Sequence, residues 1–133
     1  MLFRSDLQAY VAKVQAGASS AITQFFFNAD AYFRFVDESR ALGADIPVVP
    51  GIMPITNSSG ILRFADSCGA EVPRWIRLRL QSFGDDSASI KAFGLDVVTA
   101  LCDRLRAQGV PGLHFYTMNQ SAPVLEICRR LGP

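Results

Sequence analysis

Two kinds of apolar run alternate along this chain. Short, nearly continuous apolar stretches occupy residues 21–27, 46–52 and 112–117, and each ends in polar or turn-forming residues. Strands covered on both faces read this way. Between them, apolar residues recur at steps of three and four, the spacing of a helix with one buried side. Leu7, Tyr10, Val11 and Val14 predict a helix over 5–16, with a Ser5–Gln8 capping box at its start and Gly17 at its end. Tyr32, Phe33, Val36 and Ala41 predict a second, capped by Asn28 or Asp30 and running to about Leu42 before Gly43.

Asn57 or Ser58 caps a third helix holding Ile61, Leu62, Phe64, Ala65 and Cys68, which Gly69 closes. Pro73 starts a short fourth, with Trp75, Ile76 and Leu80. After the Gly84-Asp85-Asp86 turn, Ser87 opens the longest helix, carrying Ile90, Phe93, Val97, Leu101 and Leu105 to Gly109. Ser121 is expected to cap the last, with Pro123 in its first turn and Val124, Ile127, Cys128 and Leu131 inward. The order α-β-α-β-α-α-α-β-α predicts an α/β fold with parallel strands joined by helical crossovers. Three strands cannot close a (β/α)8 barrel, which takes roughly 200 residues or more. Periodicity alone therefore ends at a three-stranded α/β layer or a piece of a barrel.

Composition narrows the classes of partner. The 133 residues are 50% hydrophobic and 19% charged, an ordinary globular balance. Thirteen basic against twelve acidic residues, a formal net charge of +1, gives no electrostatic case for nucleic acid or an anionic membrane. The densest basic stretch, Arg74, Arg77 and Arg79 around Trp75, reads as a solvated helix face. Cys68, Cys102 and Cys128 are odd in number and far apart, and one histidine leaves a zinc site short of ligands. Buried, reduced thiols in a cytoplasmic protein are expected. No apolar run reaches the roughly 20 residues that span a bilayer, and the N-terminus carries no secretory pattern.

Ligands of barrels and open parallel sheets bind at the C-terminal strand ends. That rule selects residues 24–28, 51–57 and 116–120. Gln24 is an amide inside an aromatic strand. It reads either as a partner for a ring presenting both donors and acceptors, or as an amide tied to a neighbouring strand or a buried water. Asn57 reads as a helix cap and Phe64 as core. His114 is a satisfied core histidine or an acid–base group, and Tyr116, Thr117 and Asn119 stand ready to line a pocket. GxGxxG and GxxxxGK(S/T) phosphate loops are absent.

Three segments, Thr23-Gln24-Phe25-Phe26-Phe27, Pro50-Gly51-Ile52-Met53-Pro54 and His114-Phe115-Tyr116-Thr117-Met118-Asn119, together resemble the last three strand–helix units of methylenetetrahydrofolate reductase. Phe64-Ala65, Gly69-Ala70, Pro73-Arg74-Trp75 and Asp85-Asp86 fit the same pattern. The resemblance implies a partial TIM (β/α)8 barrel of three parallel strands with covering helices. Residues 1–133 would be the C-terminal fragment of that barrel domain, from a truncated reading frame or a deliberate fragment.

The whole enzyme it implies is a flavin-dependent oxidoreductase of one-carbon and methionine metabolism. It reduces 5,10-methylenetetrahydrofolate to 5-methyltetrahydrofolate with NAD(P)H and FAD. The resemblance makes Gln24 the contact to both the folate pterin and the nicotinamide, and Phe64 the neighbour of the folate's aminobenzoyl ring. The two other substrate positions depart from the family pattern. Gln120 replaces an Arg and lacks its charge and planar donor fork, and Gly60 stands where bacterial relatives often have Gln. The catalytic Glu and the flavin-holding strands belong to segments outside this sequence. The expectation is thus an inactive chain without bound FAD, forming a homo-oligomer or pairing with a missing N-terminal half. The rival expectation is a non-catalytic, stand-alone partial barrel that acts as an interaction or folate-binding module.

Overall fold

The computed structural model describes residues 4–132, with side chains from Asp6 onward. Its elements follow the predicted order: α1 (Arg4–Gln15), β1 (Ala21–Phe25), α2 (Ala29–Ala41), β2 (Val48–Ile52), α3 (Ser58–Cys68), α4 (Arg74–Phe83), α5 (Ser87–Ala107), β3 (His114–Phe115) and α6 (Ser121–Leu131). The Ser5–Gln8 capping box lies outside the described residues. The three strands are parallel and lie in chain order, β1-β2-β3. Consecutive strands lie side by side with no reversal of order. This is an arc of a (β/α)8 barrel, not a doubly wound sheet with a switch point.

One face of the sheet is closed by helices. Val48, Pro50 and Ile52 alternate onto that face, and all three are buried. Val48 and Ile52 meet Tyr32 of α2, Val98, Leu101, Cys102 and Leu105 of α5, and Ile127 of α6 in one core. Tyr32 also donates its hydroxyl to the Val48 carbonyl at 2.6 Å, so a buried phenol is satisfied by strand backbone. Register puts Ile22, Val49 and His114 on the opposite face. Ile22 there is 54% exposed.

Local chemistry sets the helix ends. Asn28 accepts from the Asp30 N–H and Asn57 from the Gly60 N–H (2.8 Å). Asp86 takes the Ser89 N–H and hydroxyl, which hold its carboxyl below the usual carboxylate range. Gly69 closes α3 in the left-handed conformation, at φ 70°. The N-cap of α6, however, is Gln120, with no side-chain cap bond, and the expected cap Ser121 is the first helical residue.

The strands are shorter than their apolar runs, and Pro50 accounts for the largest difference. The Gly51 N–H points towards β1, where Thr23 Oγ1 accepts it. Alternation then turns position 50 towards β3, and proline has no N–H to offer there. Pairing with β3 consequently begins only at Gly51↔His114, not near residue 112. The apolar residues Phe26 and Phe27 continue past β1 as core and near-core side chains without ladder partners. The expectation of three buried thiols is also corrected. Cys102 is buried and Cys68 half-buried, but Cys128 faces solvent from the outer side of α6.

Candidate functional site

The C-terminal strand ends meet in a cleft of about 380 Å³. Gln24 and Phe25 of β1, Met53 after β2, Phe64 and Cys68 of α3, and Tyr116 and Met118 after β3 line it. Its formation starts with a bulge. Pairing runs Ala21↔Val48 and Ile22↔Val49, then resumes at Phe25↔Gly51. Thr23 and Gln24 therefore span the place of Pro50 alone, one residue too many for the ladder.

At the bulge the Gly51 N–H goes to the Thr23 hydroxyl, at 2.9 Å, in place of a carbonyl. The Thr23 carbonyl instead accepts the Tyr116 hydroxyl at 2.8 Å. To reach it, the Tyr116 ring crosses β2 directly over Gly51. A Cβ on Gly51 would lie 2.4 Å from the Thr23 oxygen and 2.7 Å from the Tyr116 ring. Only glycine permits that crossing. His114 packs edge-on against Tyr116, centroids 4.8 Å apart, which gives it a structural place in the sheet.

The bulge presents the Gln24 side chain to the cleft. Its Nε2 donates to the Cys68 carbonyl at the end of α3, 3.0 Å away, and its Oε1 and second N–H are left for a ligand. Phe64 stacks on Phe25 with centroids 5.6 Å apart and planes 25° apart, and its other face is partly open. After β3, a tight turn closed by Gln120 N–H to Thr117 O carries Met118 and Asn119 at φ 50° and 63°. Left-handed backbone is unusual for Met, and such strain gathers at ligand-binding turns.

The structure thus brings Gln24 and Phe64 together. Gln120 lines a neighbouring cleft of about 520 Å³, formed by Pro54, Ile55 and Thr56, by Lys91, Gly94 and Leu95 of α5, and by the start of α6. Gly94 admits the loop after β2, since a Cβ there would lie 2.3 Å from the Ile55 carbonyl oxygen. Gly60 lines neither cleft and serves the Asn57 cap. Asn57 is likewise a cap, and Thr117 and Asn119 are exposed in the turn. Met53 and Met118 fall within the selected strand ends, whereas Cys68 was not legible as a lining residue, because the end of α3 brings it in. A proline in a central strand was the one signal that pointed to the bulge.

Chemically, the first cleft suits a flat heteroaromatic ring: an aromatic face from Phe64, an amide for the ring edge, and apolar walls. Among the described residues neither a glycine-rich phosphate loop nor a group of three His, Cys, Asp or Glu able to hold a metal borders it. A ring that presents both donors and acceptors along its edge fits these groups. Among the described residues no helix is long and apolar enough to cross a membrane.

Known proteins resemble this chain over nearly its whole length. The profile of the family described as methylenetetrahydrofolate reductase matches residues 2–132. Methylenetetrahydrofolate reductase (NADH) 1 of Arabidopsis thaliana is 37% identical over 98% of this chain and 22% of its own length. The 5,10-methylenetetrahydrofolate reductase of Salmonella typhimurium is 36% identical over 97% of this chain and 44% of its own. This chain therefore spans less than half of these relatives. A solved structure of an uncharacterized protein from Clostridium thermocellum, described as binding two copies of 5-methyl-5,6,7,8-tetrahydrofolic acid, superposes with a TM-score of 0.63. It does so over 96% of this chain and 48% of that one, at 17% identity, a likeness of fold. With the profile covering nearly every residue, the chain belongs to the methylenetetrahydrofolate reductase family.

Proposed function

We propose that this chain supplies one wall of the site where a longer reductase binds folate and nicotinamide in turn. Gln24 would meet the edge of either ring, and Phe64 would stack on the folate's aminobenzoyl group. Gln120, in the adjoining cleft, would lie toward the folate's distal end, whereas Gly60, which lines neither cleft, would act only through the Asn57 cap at the start of α3. The observation that carries this reading is the convergence of Gln24 and Phe64 on one apolar cleft at the C-terminal strand ends.

A flavin, when bound in the longer protein, supplies hydride chemistry for converting 5,10-methylenetetrahydrofolate to 5-methyltetrahydrofolate. The residues of this chain contribute binding and orientation. Gln24 holds a ring edge in register through its free Oε1 and N–H, and Phe64 and Phe25 exclude water from one ring face. No residue here takes the role of catalytic acid. Residues 1–133 are the C-terminal fragment of the barrel domain on this reading, in a cytoplasmic oxidoreductase. The chain alone is inactive, with FAD held by the preceding strands.

Co-expression tests it. The chain is produced alone and together with the N-terminal portion of the Salmonella relative. Folate reduction and flavin absorbance should appear only in the pair. A yellow, active preparation of the chain alone, or a pair that assembles with flavin but never turns over folate, contradicts the proposal.

A further inference from the structure

The bulge in β1 poses a question of stability. An extra residue in a parallel ladder leaves backbone groups without their regular partners and frees the strand to shift register. Here two of the groups at the bulge are met by side chains. Thr23 Oγ1 takes the Gly51 N–H, and Tyr116 Oη fills the Thr23 carbonyl. The residue directly after that carbonyl is Gln24. The peptide plane that Tyr116 holds is therefore the one that sets the direction of the Gln24 Cα–Cβ bond. From there Gln24 Nε2 reaches the Cys68 carbonyl at 3.0 Å.

We infer that Tyr116 is a positioning residue for Gln24: its hydroxyl, bound across Gly51 to the Thr23 carbonyl, fixes the bulge that aims the Gln24 amide into the cleft. Thr23 secures the same bulge from the β2 side. One cross-sheet tie thus joins all three strand-end segments, and it explains why a threonine, a glycine and a tyrosine stand at these positions. The functional part of this inference rests on the reading of Gln24 as a ligand contact; the structural part does not.

Two experiments decide it. In the first, the full chain is labelled with 15N, and the Gln24 side-chain amide protons are followed by NMR in the native chain, in Tyr116→Phe and in Thr23→Val. Tyr116→Phe keeps the ring over Gly51 and removes only the hydroxyl. The Gln24 protons should lose exchange protection roughly tenfold, the loss of about one hydrogen bond, and move to solvated-glutamine shifts, while helix amides stay unchanged. Gln24 signals identical to the native ones overturn the inference. If Tyr116→Phe does not fold, Thr23→Val keeps the carbonyl that Tyr116 binds and removes the bulge's other bond, Gly51 N–H to Thr23 Oγ1; Gln24 signals unchanged in that variant overturn the account of the bulge.

In the second, kinetics are measured on the pair formed with the N-terminal portion of the Salmonella relative. Tyr116→Phe should lower kcat/KM for folate roughly tenfold and have no further effect in the Gln24→Ala background. An equal loss in both backgrounds shows that Tyr116 acts independently of Gln24, and overturns the inference. If Gln24→Ala alone changes nothing, the ligand-contact reading fails, and the NMR result still decides whether Tyr116 positions Gln24.

Discussion

Tyr116 lies so close over Gly51 that a Cβ on Gly51 would sit 2.7 Å from its ring. The Thr23 carbonyl oxygen is closer still, at 2.4 Å, and belongs to backbone that cannot swing aside. Gly51→Ala should therefore destabilise the chain by about 1–3 kcal/mol, as overpacking does. Gly60 is the contrasting case. A Cβ there would meet only the Asn57 side chain, no nearer than 3.4 Å, in the first turn of α3. Gly60→Ala should stabilise by about 0.5–1 kcal/mol through a less flexible unfolded chain. Urea unfolding of both variants checks the pair. Equal effects of the same sign would contradict the close crossing at Gly51.

The helices were legible in the sequence because their signals are local. Asn28, Asn57 and Gly69 end helices through bonds spanning a few residues, and such patterns can be read from a string. The cleft was partly legible: the strand-end rule and the family resemblance selected Gln24 and Phe64, which do meet. The Tyr116–Thr23 bond joins residues 93 positions apart, and no local pattern announces it. Strand length failed for a related reason. The apolar run around His114 reads as a longer strand, but pairing needs donors on the neighbour, and Pro50 has none. Cys128 shows the limit of periodicity. It follows the buried Ile127 by one position, which turns it about 100° round the helix and out to solvent.

Cys102 makes alkaline pH informative. Burial pushes its thiol up to about 12, with Asp103 and Cys128 adding to the rise and Arg106 opposing it. The folded state therefore favours the protonated thiol. This contribution is complete below the unfolded thiol's titration near pH 9.0 and is lost as pH climbs towards 12. Burial raises Tyr32 in the same direction. The urea midpoint should fall steadily above about pH 9, and Cys102→Ala should flatten that fall. A midpoint that does not change across the range contradicts the buried thiol. With a thiol reagent near neutral pH, exposed Cys128 should react first and Cys102 only on unfolding.

Among the described residues, β1 and β3 are the edge strands of the sheet. The 22–27 segment at the first is uncharged and aromatic, and Ile22 on the open face is 54% exposed. Such edges pair with other chains. At tens of micromolar, an order-of-magnitude working concentration, the chain alone should elute as a dimer or larger assembly with light-scattering detection. Pairing with the N-terminal portion of a relative should abolish that self-association. A monomer that unfolds cooperatively would contradict the account of these edges.

The measurement that bears most directly on the proposed wall is the effect of Gln24→Ala on the reconstituted pair. Gln24 leaves Oε1 and one N–H for a ring edge, and its loss at a strand end changes little packing. Steady-state turnover should fall roughly 10–100-fold for folate, from a few hydrogen bonds at about 0.5–1.5 kcal/mol each, and nicotinamide turnover should weaken with it. Unchanged kinetics with both substrates, in a variant that still binds flavin, would contradict the central claim and leave Gln24 as a strut between β1 and α3.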